Sequence, residues 1–293
     1  MSKIRANRAQ NKGAAPARAL MLLASLSAAA FFFSVSAAPV PPDVSDARST
    51  MERVYNQNTS RDMILRANLD VFEKEGQPLH KQFDLLRIGS LGESKTLVYF
   101  TQPKEVRGVE LLSINQQGAT DRQWIYIPAQ ERVRSVVPRE RSERFVGSDF
   151  TYEDIAEDPL DDFTYTVVSA DEIMDGHHAV KIQATPVSPD RSQYKFIYYW
   201  VLQDTPCIAY AEMYDQDGRV ERTMHATGLK KDDGIFGFRH VEVATPGDGT
   251  HTILSIDDAH FNSGLTADIF TPDALGRPLP AIHGLENATN QNH

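Results

Sequence analysis

Apolar and polar positions alternate with a period of two through most of the chain, and that period predicts β-strands. Arg61 to Phe72 is clear. Met63, Leu65, Ala67, Leu69 and Val71 share one side, and Ile64, Arg66, Asn68 and Asp70 the other. Glu75 to Pro78 reads as a turn and Leu79 to Ile88 as the returning strand. Further strands are expected at 94–101, 108–115, 121–128 and 131–137. After a gap they resume at 163–170, 177–185, 193–203, 206–214, 219–230, 235–245 and 250–261. Turn residues separate them, notably Asp175-Gly176, Asp190-Arg191, Asp217-Gly218, Asp233-Gly234 and Asp248-Gly249, and Asp-Gly between alternating segments is a good hairpin signal. Helical spacing occurs in Asp43 to Asn56, where Val44, Ala47, Met51 and Val54 recur and Asp43 or Ser45 is placed to cap. Thr266 to Leu275 reads as a second short helical stretch.

Residues 138–162 break the rhythm. They are charged, carry a few aromatics and hold no sustained period; so long a stretch inside a compact domain reads as a loop or lid. About eleven consecutive antiparallel strands cannot stay flat. The expected fold is therefore mainly β, a half-open antiparallel barrel with a few helices forming a lid. Several central strands are apolar on both faces. Tyr198 and Trp200 alternate with Ile197, Tyr199 and Val201, and Trp124 and Tyr126 with Ile125 and Ile127. One face would pack on helices or a lid while the other lines a cavity; a plain two-layer core fits the same pattern. Which face points inward is open, because a shift of one residue exchanges them.

The N-terminus changes the picture of where the protein works. Five basic residues and no acid precede an uncharged run from Ala19 to Ser36, and Val35-Ser36-Ala37 fits signal peptidase. Residues 1–37 are thus read as a cleaved signal peptide, with the mature chain starting at Ala38. The alternative is an uncleaved anchor, since the run reaches the lower limit of a membrane span. Residues 38–60 would be a linker and N-terminal helix, 61–276 the barrel domain and 277–293 a flexible tail. The full chain has 293 residues and a net charge of −10; without the signal it has 256 residues and, with 25 basic and 40 acidic side chains, a net charge of −15. That charge argues against nucleic acid and anionic membrane surfaces as bulk partners.

Candidate chemistry is sparse. Cys207 is the single cysteine, so no internal disulfide forms and cysteine-type zinc sites are excluded; its apolar strand context reads as a core thiol. His177 and His178 are adjacent, and on a regular strand they point to opposite faces. The acidic run Glu153, Asp154, Glu157, Asp158, Asp161 and Asp162 lacks calcium-loop spacing. No nucleophile elbow, HExxH, P-loop or dinucleotide fingerprint is present. No cofactor, metal or catalytic residue is expected.

At 121–154 the sequence becomes specific. DRQWIYIPAQERVRSV followed by FVGSDFTYEDI, with FTPDAL at Phe270 to Leu275, resembles the outer-membrane lipoprotein-sorting protein family, which has the fold of the periplasmic lipoprotein carrier LolA and its receptor LolB. The matching positions are Trp124, Tyr126, Pro128, Arg132 and Arg134, then Phe145, Gly147, Ser148, Asp149, Phe150, Tyr152, Glu153 and Asp154. The resemblance covers roughly 50–275. It implies a half-open barrel that binds acyl chains of lipids or lipoproteins in the periplasm, with an RND-type (MMPL-like) inner-membrane exporter as partner. No functional residue transfers with it. Trp124, Tyr126, Tyr198 and Trp200 are the expected cavity lining, and Phe145, Phe150 and Tyr152 the residues that close it from the lid. A non-catalytic scaffold of an envelope complex is the rival expectation, and a hydrolase a third.

Overall fold

The computed structural model describes residues 46–90, 93–116, 121–156, 159–189 and 191–280. The signal segment, its cleavage site, Asp190, the acidic pair Glu157 and Asp158, and the tail beyond 280 lie outside the described residues. Helix α1 (Ala47–Asn56) is capped by Asp46, whose carboxylate accepts the Arg48 N–H at 3.1 Å. Thirteen strands follow, two more than the expected eleven: β1 (Asp62–Phe72), β2 (Leu79–Ser90), β3 (Glu93–Gln102), β4 (Glu110–Ile114), β5 (Arg122–Ile127) and β6 (Arg132–Ser135), then β7 (Phe163–Met174), β8 (His177–Pro186), β9 (Phe196–Leu202), β10 (Ile208–Tyr214), β11 (Val220–Asp232), β12 (Ile235–Thr245) and β13 (Thr250–Phe261). All thirteen alternating segments form strands; only their total was undercounted. The Asp175-Gly176 and Asp233-Gly234 turns have positive φ at both residues, as a tight hairpin between twisted strands requires.

All strands belong to one antiparallel sheet in the order β6-β5-β4-β3-β2-β1-β13-β12-β11-β10-β9-β8-β7. The first and last strands pair in its middle, with Leu69 opposite Leu254 and Val71 opposite Thr252. The free edges are thus β6 and β7, two strands adjacent in sequence and joined by the irregular 136–162 segment, here termed the strap. Neither edge is a flat template for aggregation. The β6 edge is four residues long and carries Arg132 and Arg134, and β7 is interrupted twice by irregular register.

The curl of the sheet follows from the strap's contacts. Gln123 of β5 donates to the Tyr152 carbonyl at 2.9 Å, and Arg222 of β11 holds Asp154, two residues further along. In sheet order β5 and β11 are seven strand spacings apart, about 34 Å if flat. One helical turn bridges them only because the sheet wraps around it. The covered face is therefore the inner face of a half-open barrel.

Cross-strand register then assigns every residue to a face. Inward go Ala67, Leu69, Phe83, Val98, Phe100, Leu111 and Ile125, which pack with Phe145 and Tyr152 of the strap. On the same face at the far side of the sheet, Val180, Ile182 and Val201 pack under Ala47 and Met51 of α1. Outward go Ile64, Leu86, Leu97 and Leu112, which the C-terminal segment covers with Ile269, Phe270 and Leu275. That segment makes two 3-10 turns, Ala267–Ile269 and Pro272–Ala274, where a short helical stretch was expected.

The end of this segment is locked by Gly276 (φ +78°). A Cβ there would stand 2.7 Å from the Tyr126 ring, and its N–H donates to Glu110 at 3.1 Å. Burial raises the Glu110 carboxyl to about 7, against the lowering effect of that hydrogen bond. A carboxyl raised on folding contributes stability below its unfolded value near 4.5, and that contribution is lost as pH rises through 7. Glu110→Gln should therefore flatten the pH dependence of stability between pH 5 and 8 and be more stable than wild type at pH 8 by roughly 1 kcal/mol, as measured by urea unfolding across that range. Phe270 is fully buried in the same cluster, and Phe270→Ala should cost about 3–5 kcal/mol in the same assay.

Candidate functional site

The strap is a small hairpin followed by a single helical turn. Arg144 and Thr151 form a β-bridge, and the Phe145 N–H donates to the Phe150 carbonyl at 2.7 Å. The reversal places Val146 (φ 49°) and Gly147 (φ 71°) in the left-handed region. Glycine suits that conformation, whereas a β-branched valine is strained there. The Ser148 hydroxyl donates to the Phe145 carbonyl at 2.8 Å. Thr151 then caps helix α2 (Tyr152–Ile155) in a reciprocal box with Asp154.

Two carboxylates fasten this hairpin inside the barrel. The Asp149 side chain is fully buried and accepts from Thr250 at 2.6 Å, Thr245 at 2.7 Å, Thr252 at 2.8 Å and Arg144 at 2.5 Å. Burial works against its charge, but these donors outweigh burial and hold the carboxyl below the usual range. Asp154 makes a bidentate pair with Arg222 at 2.6 and 2.9 Å, while Arg222 also donates to the Asp149 carbonyl at 2.7 Å. Glu153, one residue earlier, accepts from the Ser192 hydroxyl at 2.6 Å and the Gln193 N–H at 3.2 Å. Each polar residue of the GSDFTYED stretch thus has a structural task. Asp149→Ala would leave three threonine hydroxyls and Arg144 facing an empty acceptor position, and should cost about 3 kcal/mol or more; chemical denaturation measures it directly.

Between the strap and β1–β3 lies an apolar cavity of about 250 Å³. Leu69, Phe83, Leu85, Val98 and Leu254 form its sheet side, and Phe145, Phe150 and Ile155 its strap side. The lining also holds the buried Arg87 guanidinium, the Thr96 hydroxyl and the Asp154 carboxylate, which Arg222 already pairs. Arg87 was not singled out from the sequence; its place on the inward phase of β2 is visible only once the register fixes the face.

The residues expected from sequence fall into two groups. Phe145, Phe150 and Tyr152 come together on the inner face. Phe150 lines the cavity half-buried, Phe145 packs on Phe100 with ring centres 5.7 Å apart, and Tyr152 meets Phe145 edge-on at 5.4 Å, outside the cavity lining. Trp124, Tyr126, Tyr198 and Trp200 all project from the opposite, outer face. Trp124 and Tyr126 pack with the C-terminal segment. Tyr198 and Trp200 belong to an outer aromatic row with Phe196, Tyr210 and Tyr214, under Lys181, whose ammonium sits 4.1 Å above the Trp200 ring. The Trp200 indole donates to Glu172 at 2.6 Å.

Among the other candidates, Cys207 is buried, and burial pushes its thiol up to about 11. His178 is exposed and pairs with Asp171 at 2.6 Å. Among the described residues no three His, Cys, Asp or Glu side chains converge as metal ligands, and no helix is long and apolar enough to cross a membrane.

Comparison with known proteins agrees with this architecture. The family model that matches, over residues 92–277, carries the description "-like: Uncharacterized protein". A DUF1329 family protein from Desulfovibrio piger superposes with a TM-score of 0.74 at 26% identity, covering 78% of this chain and 97% of that one. A structure described as an outer membrane lipoprotein-sorting protein domain, from Vibrio parahaemolyticus, gives 0.74 at 22% identity, covering 80% and 99%. A LolA superfamily protein from Nitrosomonas europaea gives 0.64 at 18% identity, covering 78% and 99%. No curated protein matches. The family model spans more than half of the chain, which therefore belongs to that family, and the strap-filled half-barrel is the fold it shares with these three structures.

Proposed function

We propose that this protein is a non-catalytic periplasmic carrier that holds acyl chains of a lipid or lipoprotein in the inner-face cavity. The apolar space between the strap and β1–β3 carries the reading. Its walls are mainly aliphatic and aromatic, with Arg87, Thr96 and Asp154 as the polar part, and Phe150, Leu85, Leu254 and Ile155 remain only partly buried around it. An acyl chain entering it gains about 0.8 kcal/mol per methylene removed from water, with no catalytic group needed. Export through a cleaved signal, and hand-over to or from an RND-type inner-membrane transporter, belong to the same proposal. So do Phe145 and Phe150 as the strap residues that close the cavity, with Tyr152 backing Phe145. The strap's anchors favour entry past Phe150 and Ile155 over movement of the whole strap.

The test is uptake of a dansyl-labelled fatty acid by the mature protein. Leu254→Trp, which fills the cavity without introducing charge, and Leu254→Glu, which places a charge in it, should each reduce uptake at least ten-fold. Tyr198→Ser on the outer face should change it less than two-fold. A wild-type protein that takes up no apolar probe, or a Leu254→Trp variant that matches wild type, overturns the reading. The half-exposed aromatic row of Phe196, Tyr198 and Tyr214 supports the rival scaffold reading. Native mass spectrometry of protein purified from its own envelope separates the two, since a carrier retains lipid and a scaffold retains a protein partner.

A further inference from the structure

A second cavity, of about 500 Å³, lies on the other side of helix α2. It opens where the two ends of the strap meet the β8–β9 loop, and Arg139, Arg141, Arg191 and Glu153 are among its lining. We propose that it is an anion site, taking the phosphate-type head group of the acylated ligand. This extends the carrier reading and rests on it for the acyl part.

The charges of the lining decide the sign. Three arginines face three acids, and two of the acids are already engaged. Both Glu153 oxygens are taken by Ser192 and Gln193, and Asp162 lies 3.5 Å from Arg191; Asp121 has a partner, though its Oδ1 accepts no hydrogen bond. Arg139 and Arg141 form no ion pair among the described residues. Arg139 exerts only a through-space pull on Glu140, which Arg134 already binds at 2.7 Å. Two guanidiniums without an ion pair among the described residues therefore border the cavity, in a chain whose net charge is strongly negative. A planar, multi-donor guanidinium pair suits the oxygens of a phosphate monoester.

The placement also fits an amphiphile. Glu153 borders the polar cavity, while Asp154 and Ile155 border the apolar one. A single helical turn separates the space for a chain from the space for its head. The volume, about 500 Å³, is that of a small-molecule site.

Palmitoyl lysophosphatidic acid and monopalmitoylglycerol share their chain and differ by the phosphate, so their affinities, measured by calorimetry, isolate the anion. Wild type should bind the phosphate-bearing probe at least ten-fold tighter. In the Arg139→Ala/Arg141→Ala double variant that probe should fall to the affinity of its neutral twin, whereas Arg139→Lys/Arg141→Lys should keep most of the preference. Circular dichroism establishes that both variants are folded. Equal affinities in wild type, or a preference that survives in the alanine variant, overturns the proposal. If neither acylated probe binds, the carrier reading fails. The anion site then stands only if inorganic phosphate binds wild type and not the alanine variant, and falls if phosphate binds neither or both.

Discussion

The buried Asp149 carboxylate is the constraint on which the rest of the architecture depends. An open sheet of thirteen strands has an apolar inner face that water would reach if nothing spanned it. Covering that face with one short segment brings backbone amides and carbonyls into the interior, where each needs a partner. The strap meets this demand by pairing internally, Phe145 with Phe150 and Arg144 with Thr151, and by tying its tip to β12 and β13 through three threonine hydroxyls on Asp149. A buried charge of this kind stabilises only when its hydrogen bonds are nearly complete, and here four donors converge on it. The aromatic packing of Phe145 between Phe100 and Tyr152 requires the strap to sit where Asp149 holds it.

That arrangement explains which parts of the fold were legible in the sequence. Strand periodicity needs only local alternation, so all thirteen segments could be placed from it, along with the Asp-Gly turns. The expected grouping of Met63, Leu65, Ala67, Leu69 and Val71 on one phase of β1 also holds through the register with β13. The inward direction was not legible. Trp124 and Tyr126 are larger than most inward residues, yet they face outward because the C-terminal segment supplies a second apolar layer there. Local sequence contains no record of that layer, since Phe270 lies more than 130 residues along the chain from the strand residues of its cluster. Tyr198 and Trp200 illustrate another source of ambiguity. An outer-face row of aromatics capped by Lys181 has the same alternation as a cavity lining.

Residues 138–162 were legible as irregular but not as fixed. High charge and absent periodicity suit a mobile lid and a tightly anchored strap equally well, because both lack regular backbone pairing. What distinguishes them is where the charges go. Asp149, Glu153 and Asp154 each find donors on distant elements, contacts that appear only when β8, β11 and β13 curl around the segment. The motif that carries the family resemblance is accordingly a fastening device, with Gly147 in the left-handed region at its turn.

The energetics of the inner cavity favour occupancy over emptiness. The cavity is open at its mouth, where Phe150, Leu85, Leu254 and Ile155 stay partly buried, and an apolar guest that covers these walls gains about 25 cal/mol per Å² taken from water. The space persists because it is bordered by a strap that cannot collapse onto the sheet. Asp149 fixes the tip to β12 and β13, Arg222 fixes Asp154 to β11, and Gln123 fixes Tyr152 to β5. The same hydrogen bonds that stabilise the strap thus keep it at a distance from β1–β3, and the cavity is a direct consequence of how the half-barrel is closed.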